Sequence, residues 1–388
     1  MKKEFTPRKM TTVFPQELIT EILSLLQVKT LVRFQCVSKP WFALINDPNF
    51  VKMHLRRSIE TNRERTLIAE KTRTGNPPHS YYLVKFSDED RCSEAVKIFR
   101  PFYHPTKAVT RIVGCCDGLV CIHSYPVDWN TSITNSNLNE TVIWNPLIRK
   151  YRKLPFKPIE NSDYKLELAF GYDQVNDDYK VLRIVKLRPS SPTQVPKVAE
   201  VGHHVYSLRG HSWTRVEDEW PDTDSYGCII SGPASSNGAL HWVVGGMEIL
   251  PPSTIVAFDL STEKFRVHAL PTKSFGTFQF NICLEVLRGW LCVCEDNFGR
   301  FSDVWVMKEY GSWTLLYTLW QTPFYCKPLV LSNDSKEVLM KEYDGKLFWY
   351  DIKKKTRSIV KIQEELDNFR KFTLVAGSLL LLDGERDH

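Results

Sequence analysis

TVIWNPLIRKYRKLP, residues 141–155, is the stretch whose reading decides the fold. A short run of β-branched and aromatic residues stops at Asn145-Pro146, and a mixed basic run, KYRKLP, follows. Val, Ile and Trp suit a pleated, half-buried surface, and Asn-Pro initiates a turn, so the stretch reads as two strands joined tightly. Its first half recurs. TIVAFDL (254–260) and KLFWYDI (346–352) also carry an aromatic residue two places from the end. SYYLV (80–84), HVYSL (204–208) and DVWVM (303–307) fit more loosely. Anchored on Tyr82, Trp144, Tyr206, Phe258, Trp305 and Tyr350, the spacings are 62, 62, 52, 47 and 45 residues by subtraction. Four-stranded propeller blades recur at about 40–50 residues, and at more where loops are long.

Each anchor has companions. An apolar strand precedes it, such as LVCI, ALHWVV or WLCVC, and a charged or mixed strand follows it, such as SWTRVE or KFRVHALP. Five of the six units have a further apolar strand in front: TRIVGCC, LELAFGY, GCIISG, FNICLEV and KPLVL. Named a to d in chain order, these give four strands per unit, except that the first unit lacks its a strand. The chain ends with an unassigned apolar run, KFTLVAGSLLLL (371–382). Placing that run in the first unit closes a ring and removes two exposed sheet edges. The expectation is a six-bladed β-propeller-like domain over residues 65–388, closed by the C-terminal strand. The a strands read as almost purely apolar.

In such a ring the b–c loops and d–a links share one face, and the a–b and c–d turns share the other. Here the first set is long, for example 123–140, 186–203 and 272–279, whereas the second holds turns such as Asp117-Gly118 and Asn237-Gly238. Long loops on a rigid scaffold commonly carry binding. Trp129, Tyr226, Met247, Ile249, Phe278, Phe298 and Arg300 are the candidate anchors for a protein substrate, because aromatic, Met and Arg side chains dominate interface cores. The competing reading is that these loops are long because nothing constrains them.

Ahead of the strands the pattern is helical. In FPQELITEILSLLQVKTLVRFQCVSKPWFALINDPNF (14–50), Pro15 can open a helix on which Leu18, Ile22, Leu25 and Leu26 recur at helical spacing. Val28-Lys29-Thr30 reads as a break with Thr30 capping a second helix, and Ser38 as the cap of a third, which leaves Pro40 tolerable near its start. About 40 residues cannot bury so many large side chains alone. Either this is a helical hairpin packed on the main domain, or one face meets a partner.

The order of residues resembles the F-box, by which substrate receptors dock on the Skp-type adaptor of a cullin–RING ubiquitin ligase. Phe14 stands where that family usually has Leu, and Pro40 where a small or polar residue is usual. The resemblance implies adaptor contacts at Phe14, Pro15, Leu18, Ile22, Leu23, Leu26, Val28, Leu31, Phe34, Val37, Lys39, Trp41, Leu44 and Ile45. Of these, Leu18, Ile22, Leu26, Leu31, Phe34 and Trp41 are expected on an apolar face that the propeller leaves uncovered. GCCDGLVCI (114–122), the opening stretch, FGYDQVNDDYKVLRI (170–184), NGALHWVV (237–244) and IVAFDLSTEKFRVHALP (255–271) resemble the F-box-associated domain of a large plant F-box family, whose S-locus members form one branch. The doubled glycine of kelch repeats is absent. The organisation expected is a basic tail (1–11), a three-helix F-box (12–50), a helical linker (51–64) and the propeller-like domain. The implied function is a non-catalytic substrate-recognition subunit of an SCF-type ligase, which reaches the cullin and RING protein through the adaptor. The alternatives are a hydrolase on a propeller, marked by carboxylates or His converging at the axis, and a scaffold that binds proteins outside any ligase.

Composition agrees with a globular chain. Of 388 residues, 43% are hydrophobic and 25% charged, and the 12% aromatic content suits sheet. The net charge of +6 is scattered, so no nucleic-acid partner is expected. Ten Cys lack paired CxxC spacing, and no nucleotide, zinc-protease or nucleophile-elbow motif occurs. Asp173, Asn176, Asp177 and Asp178 lack the Gly and terminal Glu of a calcium loop and read as a turn. His203-His204 reads as a solvent-exposed pair. No metal, cofactor or membrane partner is expected. The charged opening and the short apolar run 372–382 suggest a reduced, cytoplasmic and/or nuclear protein.

Overall fold

The computed structural model describes residues 14–61, 65–71, 80–85, 92–93, 95–98, 101, 108–126, 139–158, 164–187, 202–221, 228–245, 252–271, 281–297, 300–320, 326–362 and 369–382. Four helices come first: α1 (Gln16–Ser24), α2 (Val28–Phe34), α3 (Lys39–Ile45) and α4 (Pro48–Thr61). Six four-stranded antiparallel sheets follow, the blades of a propeller. The inner a strands, in blade order, are Phe369–Val375, Ala108–Cys116, Tyr164–Asp173, Cys228–Ser236, Asn281–Leu287 and Lys327–Leu331.

Blade 1 is completed by the C-terminal strand. Phe369–Val375 pairs antiparallel with Thr66–Lys71, Val375 opposite Thr66 and Phe372 opposite Ala69. Only the first half of the terminal apolar run is spent this way. Residues 376–382 leave the sheet and cross the turns of blade 2. There the Asn145 amide donates to the carbonyls of Ser378 and Leu380 at 3.0 and 3.1 Å. Gly118 is required beneath them: its φ is +81°, and a Cβ would stand 2.4 Å from that of Ser378. A short parallel pair, Lys361–Ile362 with Cys92–Ser93, adds a tie that the sequence pattern does not signal.

The recurring aromatic positions explain why blades stack. Trp144, Tyr206, Phe258 and Tyr350 are buried, and each packs with apolar side chains of the preceding blade. Tyr82 and Trp305, partly buried, do the same. Each of the six interfaces therefore has its own apolar cluster, and burying one such aromatic contributes about 2–3 kcal/mol. Turn chemistry recurs as well. Asp259 and Asp351 accept from backbone N–H groups two and three residues on, and the closing residues Glu263 and Lys355 sit at positive φ.

Two expectations change here. The a strands are not almost purely apolar: Lys371, Arg111, Glu167, Glu285 and Lys327 stand on five of them, all stay partly exposed, and Lys371, Glu285 and Lys327 line the central channel. A channel wide enough to hold water lets a strand buried on its flanks keep charge on its inner edge. His203-His204 is not solvent-exposed. His203 is buried edge-on against Phe265, His204 is half-buried, and desolvation lowers both pKa values to about 4. Both lie on strand c of blade 3, where successive side chains alternate between packed faces.

Candidate partner-docking site

The helices form one small unit. Pro15 precedes α1, and Ser38 caps α3 by accepting from the Trp41 N–H, with Pro40 in the first turn, where a missing donor costs nothing. Thr30 does not cap α2. That helix begins three residues earlier, after Gln27, so residues 28–30 lie inside it. Arg57 of α4 reaches back to Ser24 and Glu21 of α1, and His54 Nε2 donates to the Leu26 carbonyl at 2.8 Å. The Arg57 guanidinium holds the Glu21 carboxyl below its usual value.

α1 is apolar on two faces. Ile19, Leu23 and Leu26 turn inward. Leu18, Ile22 and Leu25, about a quarter-turn away at 100° per residue, continue the line of Phe14 outward. These four are 66% (Phe14), 52% (Leu18), 56% (Ile22) and 46% (Leu25) exposed. Val37 and Phe42 add a second exposed apolar pair near the start of α3. Phe34 and Trp41 are half-buried in ring contact at 5.3 Å, Leu26 and Leu44 are half-buried, and Pro15 and Lys39 are exposed.

The remaining sequence candidates occupy the interior. Leu23, Val28, Leu31 and Ile45 are at most 1% exposed, packed with Phe50, Val51 and Leu379. Leu31 is thus not on the uncovered face: with Leu23 and Val28 it fills the seat between helices and propeller. Leu25 and Phe42, exposed here, are absent from the sequence-derived set. Leu25 was visible in the α1 periodicity. Phe42 had no signal beyond its neighbour Trp41.

The seat lies on one side of the ring. Leu147 and Ile148, in the c–d turn of blade 2, join Leu379 and Leu380 against the helices. Lys52 of α4 pairs with Asp177, in the a–b turn of blade 3, at 2.5 Å. The helices therefore cover the short-turn side and leave the b–c and d–a side open. On that side six of the seven substrate candidates, Trp129, Tyr226, Met247, Ile249, Phe278 and Phe298, lie outside the described residues. Arg300 is exposed, its N–H bonded to the Asn297 carbonyl at 2.9 Å.

The acidic turn of blade 3 is structural. Buried Asp173 accepts from the Val175 and Asn176 N–H groups and pairs with Lys180 at 3.0 Å, and Asp178 accepts from Ser207 and the Arg209 N–H. Among the described residues, no three His, Cys, Asp or Glu are grouped to hold a metal ion, and no helix is long and apolar enough to cross a membrane. Cys36, Cys115, Cys116, Cys121, Cys283, Cys292, Cys294 and Cys326 are free thiols.

The F-box domain family matches residues 13–53, and the family described as the F-box associated beta propeller domain matches residues 78–379. The chain is 29% identical to the F-box protein CPR1 of Arabidopsis thaliana, over 96% of this chain and 89% of that protein. It is also 29% identical to the F-box/kelch-repeat protein At3g23880 of the same plant, over 86% of this chain and 85% of the relative. Among solved structures, an oligogalacturonate lyase in complex with manganese superposes at a TM-score of 0.42 and 10% identity, covering 73% of this chain and 71% of that one. YCF48 bound to D1 peptide superposes at 0.40 and 10%, covering 81% and 91%. With four N-terminal helices seated on a six-bladed ring, the chain belongs to the plant F-box proteins that carry an F-box associated beta propeller domain.

Proposed function

We propose that this chain is the substrate-recognition subunit of an SCF-type ubiquitin ligase. The observation that carries the reading is the outward stripe Phe14, Leu18, Ile22 and Leu25, on a unit whose other face is already used on the propeller. A Skp-type adaptor is the occupant that the F-box family membership supports, and through it the cullin and RING protein are reached. The propeller side facing away from the helices then holds a protein target for ubiquitination and degradation. Catalysis belongs to the assembled ligase. This chain contributes proximity, which turns a bimolecular transfer into a local one. Free thiols support work in the reducing cytoplasm and/or nucleus.

The test is co-expression of the full chain with a Skp-type adaptor. Leu18→Asp with Ile22→Asp should abolish capture while leaving the propeller folded, because docking would bury two unpaired carboxylates. Capture at full strength by the double variant refutes the reading.

A further inference from the structure

The six a strands enclose a channel of about 1620 Å³ whose two mouths differ. At the helix side, residues 58–61 line it beside Arg65 and Arg288. These arginines are already occupied: Arg65 donates to the Leu331 carbonyl and Asn333, and Arg288 to the carbonyls of Ser332 and Asn333. At the open side three lysines converge. Lys327 and Lys341 are direct cross-strand partners in blade 6, so their side chains leave the same face. Lys371 enters from blade 1, opposite Glu70. Lys327 pairs with Glu285 at 3.0 Å, and nearby Arg111 with Glu167 at 3.6 Å. Lys371 donates to the Ile112 carbonyl at 2.9 Å. Outside the strand ladders that hold its backbone, the Lys341 ammonium makes no hydrogen bond or ion pair with any described residue.

Asp344 also lines this mouth and pairs with Lys346 at 2.7 Å, so with that pair counted five cations meet four carboxylates. Burial, and then the neighbouring ammonium of Lys327, hold Lys341 below the ordinary lysine value. Burial does the same to Lys371, where Lys327 and Arg111 oppose the help of Glu70 and Glu285. Crowded ammoniums are relieved by an incoming anion. Behind the lysines the wall is apolar, with Leu329, Phe369 and Phe372 among its residues, so a fitting ligand presents carboxylates beside hydrophobic groups. A bare inorganic anion leaves that wall unused, whereas a chain segment covers both. Gly345 keeps this edge tight: its φ is +92°, and a Cβ would fall 2.0 Å from the Phe369 carbonyl oxygen.

We propose that the open mouth of the channel binds an acidic, partly apolar peptide segment of the recruited protein, its carboxylates on Lys341 and Lys371. The proposal rests on the substrate-receptor reading. Its test is separable, because it uses the full chain without adaptor. The probe is a fluorescein-labelled peptide of alternating glutamate and leucine, followed by anisotropy, with alternating lysine and leucine as the control. Binding of the acidic probe should weaken at least tenfold in Lys341→Gln with Lys371→Gln. It should be unchanged in Lys353→Gln with Lys354→Gln and Lys355→Gln, a basic turn on the opposite face. Should circular dichroism show the double variant misfolded, Lys341→Gln alone is read the same way. No binding, equal binding by the channel variant, or equal loss in the turn variant overturns the proposal. So does inorganic pyrophosphate binding through the same lysines in place of the peptide. Lost adaptor capture with peptide binding intact counts against the ligase reading instead.

Discussion

Asn145→Ala probes the joint on which the two parts of the molecule meet. Asn145 is fully buried, and its amide makes three hydrogen bonds. Nδ2 donates to the carbonyls of Ser378 and Leu380 at 3.0 and 3.1 Å, and Oδ1 accepts from the Leu147 N–H at 3.1 Å. One side chain thereby fixes the c–d turn of blade 2 and the C-terminal segment, and together these form the seat of the helices through Leu147, Ile148, Leu379 and Leu380. At about 1 kcal/mol net per bond, alanine should cost about 3 kcal/mol, and more if the abandoned carbonyls stay dry. Two of the three bonds hold the terminal segment, so most of the loss should appear there. Asn145→Asp keeps the acceptor for Leu147 but sets a carboxylate against two carbonyls, and should cost at least as much. Urea unfolding measures the total, and amide exchange over 376–382 locates it. A loss below about 1 kcal/mol, with exchange in that segment unchanged, refutes the idea that Asn145 latches the terminus.

Leu31→Ala should destabilise the helical unit by about 2–5 kcal/mol, whereas Leu18→Ala, on the exposed stripe, should cost under about 0.5 kcal/mol yet weaken adaptor capture. Equal destabilisation in urea would contradict the placement of Leu31 of α2 in the interior and Leu18 of α1 on the exposed stripe. Deleting residues 372–388 removes four of the six cross-strand partners of Thr66–Lys71 and the Leu379 contact, and should give aggregation. A soluble truncation with a cooperative transition would exclude closure by this strand. Burial, then Asp303 across the strand, raises the Glu295 pKa to about 7 from an ordinary 4.5. The unfolded chain releases this proton first, so stability is lost as pH rises from 4.5 to 7. Glu295→Gln should therefore stabilise by roughly 1–2 kcal/mol at pH 8, after discounting for solvent screening, and by nothing below about pH 4. A gain that does not vary with pH would place its cause elsewhere.

The ring was legible because propeller blades repeat a local pattern. Aromatic anchors, flanking β-branched runs and Asn/Asp turns are all set within about 50 residues, so periodicity alone reports them. The missing first strand and the spare apolar run at the end were likewise enough to infer closure. Helix boundaries followed from Pro15 and Ser38, though not at Thr30, where packing of Val28 pulled α2 forward. Which apolar residues face a partner was not legible. Leu31 and Leu18 look alike in sequence, and the difference between them is the presence against Leu31 of Leu147, Ile148 and Leu379, brought from 116 to 348 positions away by subtraction. The charge in the channel was hidden for the same reason. Lys341, Lys371 and Glu285 are unremarkable singly, and only ring closure sets blades 1, 5 and 6 side by side. Spacing along the chain determines what each segment forms, whereas burial and electrostatic coupling depend on neighbours that only the closed ring supplies.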